Sequence, residues 1–71
     1  MIEVTAPMVG KVVKVLVNVG DAVEEDEPII MIEAMKVEMP IVAPEDGRVE
    51  SITVKQGDTV EADQVIATIE S

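Results

Sequence analysis

The chain has 71 residues, 15 acidic against 5 basic, and contains no Cys, His, Phe, Tyr or Trp. That composition excludes thiolate chemistry, histidine acid–base work, the usual zinc ligands and aromatic stacking platforms. The formal net charge of -10 repels phosphate backbones and anionic membranes, so neither nucleic acid nor a membrane surface is an expected partner.

At this length one domain has to bury most of its apolar residues, which leaves little room for a cleft. No apolar run approaches the roughly 20 residues of a membrane helix, and the N-terminus lacks the basic start and long apolar stretch of a signal peptide. A cytoplasmic chain beginning at Met1 is expected.

In chain order, Ala6-Pro7 and Gly10 punctuate the start. Val12 and Val15 then lie three apart in a Val-rich run, a spacing that predicts a bulged strand. Gly20-Asp21 is a turn signal. Glu24-Glu25-Asp26-Glu27 lacks the alternating ligands and glycine of a calcium loop, so it is read as a solvated charge run and no metal site is expected. Ile29 and Ile32 repeat the three-residue offset and predict a bend in the strand that follows. Pro44-Glu45-Asp46-Gly47 is the next turn, and Gly57-Asp58 matches Gly20-Asp21. Lys11 and Arg48 are expected to cover strand ends. Ser51 and Ser71 have no histidine to act as base, so a catalytic triad is excluded.

Shifting the sequence by 37 positions aligns Val4–Ala34 with Ile41–Ser71 without a gap, with 13 of 31 positions identical. Two copies are too few for a solenoid, so residues 1–71 are read as one domain of two halves, 4–34 and 41–71, related by a pseudo-twofold axis. About eight short strands, four per half, imply an all-β fold. Two four-stranded antiparallel sheets packed face to face, or one flattened barrel, satisfy the mutual burial of the halves.

The stretch Ile32-Glu33-Ala34-Met35-Lys36-Val37-Glu38-Met39 reads as a hairpin. A two-residue turn at Met35-Lys36 pairs Ala34 with Val37, Glu33 with Glu38, Ile32 with Met39 and Met31 with Pro40. Ala34, Val37, Ile32, Met39, Ile30 and Ile41 then share an apolar face, and Glu33 and Glu38 face solvent. Two local rules are broken, because tight turns prefer Asn-Gly and like charges are disfavoured opposite each other. Such violations collect at functional sites. A Schiff-base lysine needs desolvation or cationic neighbours, and a tip beside two glutamates offers neither, so Lys36 reads as the target of a reaction and not as its catalyst. In the repeat the hairpin is the counterpart of the chain ends, which places the termini at the pole opposite Lys36.

Glu33-Ala34-Met35-Lys36 resembles the core motif of the biotinyl/lipoyl attachment domains. Ala6-Pro7-Met8-Val9-Gly10, Val19-Gly20-Asp21-Ala22-Val23, Ala43-Pro44-Glu45-Asp46-Gly47 and Gln56-Gly57-Asp58-Thr59-Val60 resemble that family's other segments. The resemblance implies a flattened barrel, or barrel-sandwich hybrid, with the modified lysine at a hairpin tip. It implies a non-catalytic, monomeric carrier: a biotin protein ligase joins biotin to Lys36, and a biotin carboxylase and a carboxyltransferase then use the tethered arm. Met35, Val37, Ala34, Glu33 and Glu38 are the implied ligase-recognition residues, and the two glutamates form an acidic collar suited to a basic ligase surface. Val37 departs from the Met or Leu usual after the lysine. That keeps lipoate, attached by a lipoate ligase, as the alternative cofactor, although the Asp-Lys-Ala tip usual in lipoyl domains is absent. The gapless repeat leaves no room for the inserted thumb of some carriers. A free-standing attachment protein and an excised domain are both compatible with the chain, and an unmodified acidic interaction module is the reading from a different class.

Overall fold

The computed structural model describes residues 2–70. Eight strands follow one another: β1 (Ile2–Thr5), β2 (Gly10–Val15), β3 (Ala22–Val23), β4 (Pro28–Ala34), β5 (Val37–Val42), β6 (Gly47–Ile52), β7 (Thr59–Val60) and β8 (Val65–Glu70). They form two four-stranded antiparallel sheets, in the orders β1-β8-β6-β3 and β5-β4-β2-β7. Adding 37 to the residue numbers carries β1, β2 and β3 onto β5, β6 and β7, and β4 onto β8. Each sheet is therefore the pseudo-twofold image of the other. This is the expected pair of four-stranded sheets, packed as a flattened barrel that does not close. The sheets stay separate in their hydrogen bonding and flatten around a shared core, as in a barrel-sandwich hybrid.

The bulges fall where the three-residue spacings place them. β2 slips register against β4 between Val12 and Lys14, and β6 slips against β8 between Val49 and Ser51. A second matched pair interrupts β4 between Pro28 and Ile30 and, on the β8 side, sets Val4 opposite Ala67 but Thr5 opposite Val65. At each bulge one extra residue bends the strand, which lets Ile29 and Ile30, or Ile66 and Ala67, be buried in succession.

The core is one cluster of aliphatic side chains, with Ile29, Ile30, Ile32, Ile66 and Ile69 fully buried, and among the described residues no buried one is polar or charged. Edges are blunted: β3 and β7 have two residues each, and Pro40 lies on edge strand β5, where a missing N–H costs no ladder bond.

Turns are also written twice. Asp21 and Asp58 accept hydrogen bonds through their carboxylates from the backbone N–H groups of Asn18 (2.9 Å) and Lys55 (3.0 Å), around Gly20 and Gly57 at φ +97 and +96. The acidic run forms a turn as well, with the Glu24 N–H donating to the Glu27 carboxylate at 3.0 Å and Asp26 at φ 69. Its counterpart has the Glu61 N–H donating to Gln64 at 2.9 Å and Asp63 at φ 66. Asp tolerates the left-handed region better than most residues, which explains its recurrence there.

β2 leaves the level of Ala34 at Gly10, whose Cα faces the Glu33 carbonyl, and runs antiparallel to β4. By Val23 the chain has reached Gly47, which lies against the Glu70 carbonyl. The hairpin tip and the paired chain ends, where Ile2 stands opposite Ile69, therefore occupy opposite poles of a body 32 Å long and 17 Å across. Met1 and Ser71 themselves lie outside the described residues.

Candidate functional site at the hairpin tip

The β4–β5 register is the one expected: Ala34 opposite Val37, Glu33 opposite Glu38, Ile32 opposite Met39, Met31 opposite Pro40 and Ile30 opposite Ile41. Alternation fixes it, since a slip by one residue would drive Glu33 into the core in place of Ile32. The two turn residues both take positive φ, 54° at Met35 and 66° at Lys36. A two-residue hairpin turn of this kind matches the twist of the strands but normally recruits Asn or Gly. A residue with a Cβ in the left-handed region costs about 1–2 kcal/mol. Buried Ile30, Ile32 and Ala34 on β4 hold the strands beneath the turn and so impose the conformation.

Burial divides the expected site residues. Ala34 is buried, Met35 is 88% exposed, and Lys36, Glu33 and Glu38 are exposed. Val37 was expected on the apolar face, and its pairing with Ala34 puts it on that side, yet it is 58% exposed because the core ends below the tip. Met35 and Val37 thus present apolar surface to solvent on either side of the lysine.

Lys11 does more than cover a strand end. It stands opposite Glu33 across β2 and β4, while Glu33 stands opposite Glu38 across β4 and β5. One cation beside two facing carboxylates offsets part of their repulsion. Arg48 and Glu70 repeat the first of these pairings in the other half. On the outer face, one step below the tip, these side chains border a groove of about 280 Å³ lined by Lys11, Val13, Glu33, Glu38, Gln56 and Gly57. Val13 was not singled out in the sequence, and Gln56 entered only as the first residue of Gln56-Gly57-Asp58-Thr59-Val60. The matched positions hold Glu50 and Val19, but most aligned positions differ between the halves, so no signal set these two apart.

A larger groove, about 350 Å³, runs between edge strands β1 and β5, and none of residues 33–38 lines it. Val4, Thr5 and Pro7 on one side are the repeat counterparts of Ile41, Val42 and Pro44 on the other, so this groove follows from the pseudo-twofold packing. Among the described residues no set of three or more acidic side chains converges as a metal site, Glu24–Glu27 included.

Residues 2–69 match the family of biotin and lipoyl domains described as biotin-requiring enzyme. The biotin carboxyl carrier protein of Streptococcus mutans is 60% identical over 37 residues, 52% of this chain and 28% of that protein. The first curated relatives are matched over between 6% and 50% of their own lengths. Among solved structures, the Kluyveromyces lactis urea carboxylase superposes with a TM-score of 0.91 at 40% identity, over 96% of this chain and 6% of that one. The lipoyl domain of the Azotobacter vinelandii 2-oxoglutarate dehydrogenase complex superposes with a TM-score of 0.83 at 31% identity, over 100% of this chain and 98% of that one. A family match over nearly every residue, on a sandwich whose halves mirror each other about a lysine-tipped hairpin, has one conclusion: the chain belongs to the biotin/lipoyl attachment family.

Proposed function

We propose that this chain is a non-catalytic carrier that a biotin protein ligase modifies on Lys36, and that it serves a biotin-dependent carboxylase as a swinging arm. The observation that carries the reading is the tip itself: an exposed lysine in a turn whose two residues both take positive φ, at the pole remote from the chain ends. Backbone strain at an exposed site, with nothing gained in packing, points to selection for presentation.

In this reading the ligase joins the biotin carboxyl to the AMP part of ATP with release of pyrophosphate, and the neutral amine Nζ of Lys36 then displaces AMP and gives up a proton as the amide forms. Met35 and Val37 supply the apolar contacts for the ligase, Ala34 seats the turn, and Glu33 and Glu38 steer a basic ligase surface toward the tip. Attached biotin supplies the carboxyl-carrying chemistry, and this chain supplies presentation and tether. A short tether sustains an effective concentration of roughly millimolar at a biotin carboxylase and a carboxyltransferase in turn. The carrier works as a cytoplasmic monomer; two of its edge strands have two residues each and a third carries Pro40, which disfavours edge-to-edge pairing of copies.

Lipoylation of the same lysine is the second reading. It is kept open by Val37, which departs from the biotin pattern, and is favoured by the superposition on a lipoyl domain over 98% of that domain. Intact mass spectrometry after co-expression with a biotin ligase, and separately with a lipoate ligase, separates the two. The carrier reading predicts an adduct, with biotin the more complete. No adduct with either ligase would leave the unmodified acidic interaction module as the account. Val37→Met is expected to raise the biotin-to-lipoyl ratio at no cost in folding, because position 37 is largely solvent-exposed; an unchanged or lower ratio refutes the role given to Val37.

A further inference from the structure

Within the aligned repeat, two of the residues that line the groove below the tip differ in chemistry from their counterparts. Around the matched pairs Lys11/Arg48, Glu33/Glu70 and Gly57/Gly20, the tip-side half has Val13 where the other has Glu50, and Gln56 where the other has Val19. The tip side thereby gains an apolar wall and an amide, set among an ammonium and two carboxylates. Val13 is the extra residue of the β2 bulge, and the bend there helps to hollow the outer face of the sheet.

Such a lining has a definite chemical complement: a compact ring, apolar over most of its surface, with a carbonyl acceptor flanked by N–H donors. Glu33 and Glu38 face each other with acceptors only, and N–H donors placed between them relieve their repulsion. Lys11 and Gln56 provide donors for the carbonyl, and Val13 provides the apolar contact. Reach is adequate. At a strand rise of about 3.3 Å per residue, the Glu33/Glu38 pair lies roughly 7–10 Å below Lys36, less than the combined length of a lysyl side chain and an acyl chain extending it.

We propose that this groove is a resting site on the carrier for the ureido ring of the biotin attached to its own Lys36. The proposal rests on the reading of Lys36 as a biotinylated residue and adds a function to the sheet face beneath it. Glu33 and Glu38 accept hydrogen bonds from the ring N–H groups, Lys11 or Gln56 donates to the ring carbonyl, and Val13 packs against the ring. The dithiolane of a lipoyl group has no N–H donor and no carbonyl in its ring, so the same groove does not retain it. At an effective concentration of roughly millimolar, an intrinsic affinity of the same order leaves the arm docked about half of the time and free to leave for a partner enzyme.

The test uses 15N-labelled full chain in three forms: unmodified, biotinylated and lipoylated. Intact mass first establishes complete modification, so failure of the ligase reaction counts against the carrier reading and not against the groove. Backbone amide shifts are then compared. The groove proposal predicts that biotinylation moves the amides of Lys11, Val13, Gln56 and Gly57 as well as those of residues 34–38, and that lipoylation moves residues 34–38 alone. A double variant, Val13→Glu with Gln56→Val, copies residues the other half already accommodates. It is expected to abolish the groove shifts on biotinylation while keeping those of the hairpin. Shifts confined to residues 34–38 with biotin, equal groove shifts with the lipoyl group, or groove shifts that survive in the double variant would each overturn the proposal.

Discussion

Replacing Met35 by Asn should make the unmodified protein more stable, because the turn conformation is imposed on a residue poorly suited to it. Met35 sits at φ 54 and is 88% exposed, so its side chain contributes little burial to set against the left-handed backbone. That conformation costs about 1–2 kcal/mol for an ordinary residue and less for Asn, whose short polar side chain bonds locally. With no compensating loss of packing, Met35→Asn is expected to gain about 1 kcal/mol, which in a domain of this size raises Tm by roughly 4–8 °C. Met35→Ala provides the control, since it trims the same exposed side chain but retains a Cβ in the same region; it is expected to stay within about 0.5 kcal/mol of the parent. Urea unfolding and a thermal melt, read by far-UV circular dichroism because the chain has no aromatic residue, measure both. If Met35→Asn is no more stable than Met35→Ala, the turn is not strained, and strain no longer marks the tip as a functional site. The carrier reading adds that the stabilised variant is a poorer ligase substrate.

The two glycines that abut carbonyls should respond unequally to a methyl group. A Cβ at Gly47 would fall 2.6 Å from both the Glu70 carbonyl oxygen and Ile69 Cγ2, whereas at Gly10 it would meet the Glu33 carbonyl at 2.9 Å. Gly47→Ala is expected to cost about 2–3 kcal/mol in urea unfolding and Gly10→Ala about 1–2 kcal/mol, and the opposite order would contradict the packing described. Gly10→Ala should nevertheless impair modification of Lys36 more than Gly47→Ala does, because the displaced Glu33 carbonyl belongs to the tip strand. Asp21→Ala and Asp58→Ala each remove a carboxylate acceptor from one turn and are expected to cost about 1 kcal/mol apiece. The two turns share no partner, so the double variant should show the sum to within about 0.5 kcal/mol.

Much of this architecture was legible in the sequence because its determinants are local. Period-two alternation from Ile30 to Ala34 set the hairpin register, and the three-residue offsets at Val12/Val15 and Ile29/Ile32 marked bulges that the structure contains in both halves. The repeat supplied the twofold. The order of strands within each sheet was not legible, because β8 between β1 and β6 depends on long-range pairing that no local pattern encodes. Glu24–Glu27 was read only as a charge run, although the recurrence of Asp26 at Asp63, both with positive φ, was the sign of a matched turn. The exposure of Val37 escaped for a different reason: alternation says which way a side chain points, not how far the core extends beneath it. Lys11 and Gln56 acquire their relation to the tip only through the pairing of β2 with β4 and β7. A reading confined to the stretch around Lys36 therefore missed half of the groove.

The central claim is that one lysine, by virtue of the turn that presents it, is the acceptor. The most direct measurement is site-resolved tandem mass spectrometry of the protein co-expressed with a biotin protein ligase, alongside Lys36→Arg. The account predicts one adduct, on Lys36, with Lys11, Lys14 and Lys55 unmodified and no adduct in the variant. Modification at another lysine, or an adduct that persists in Lys36→Arg, would contradict it.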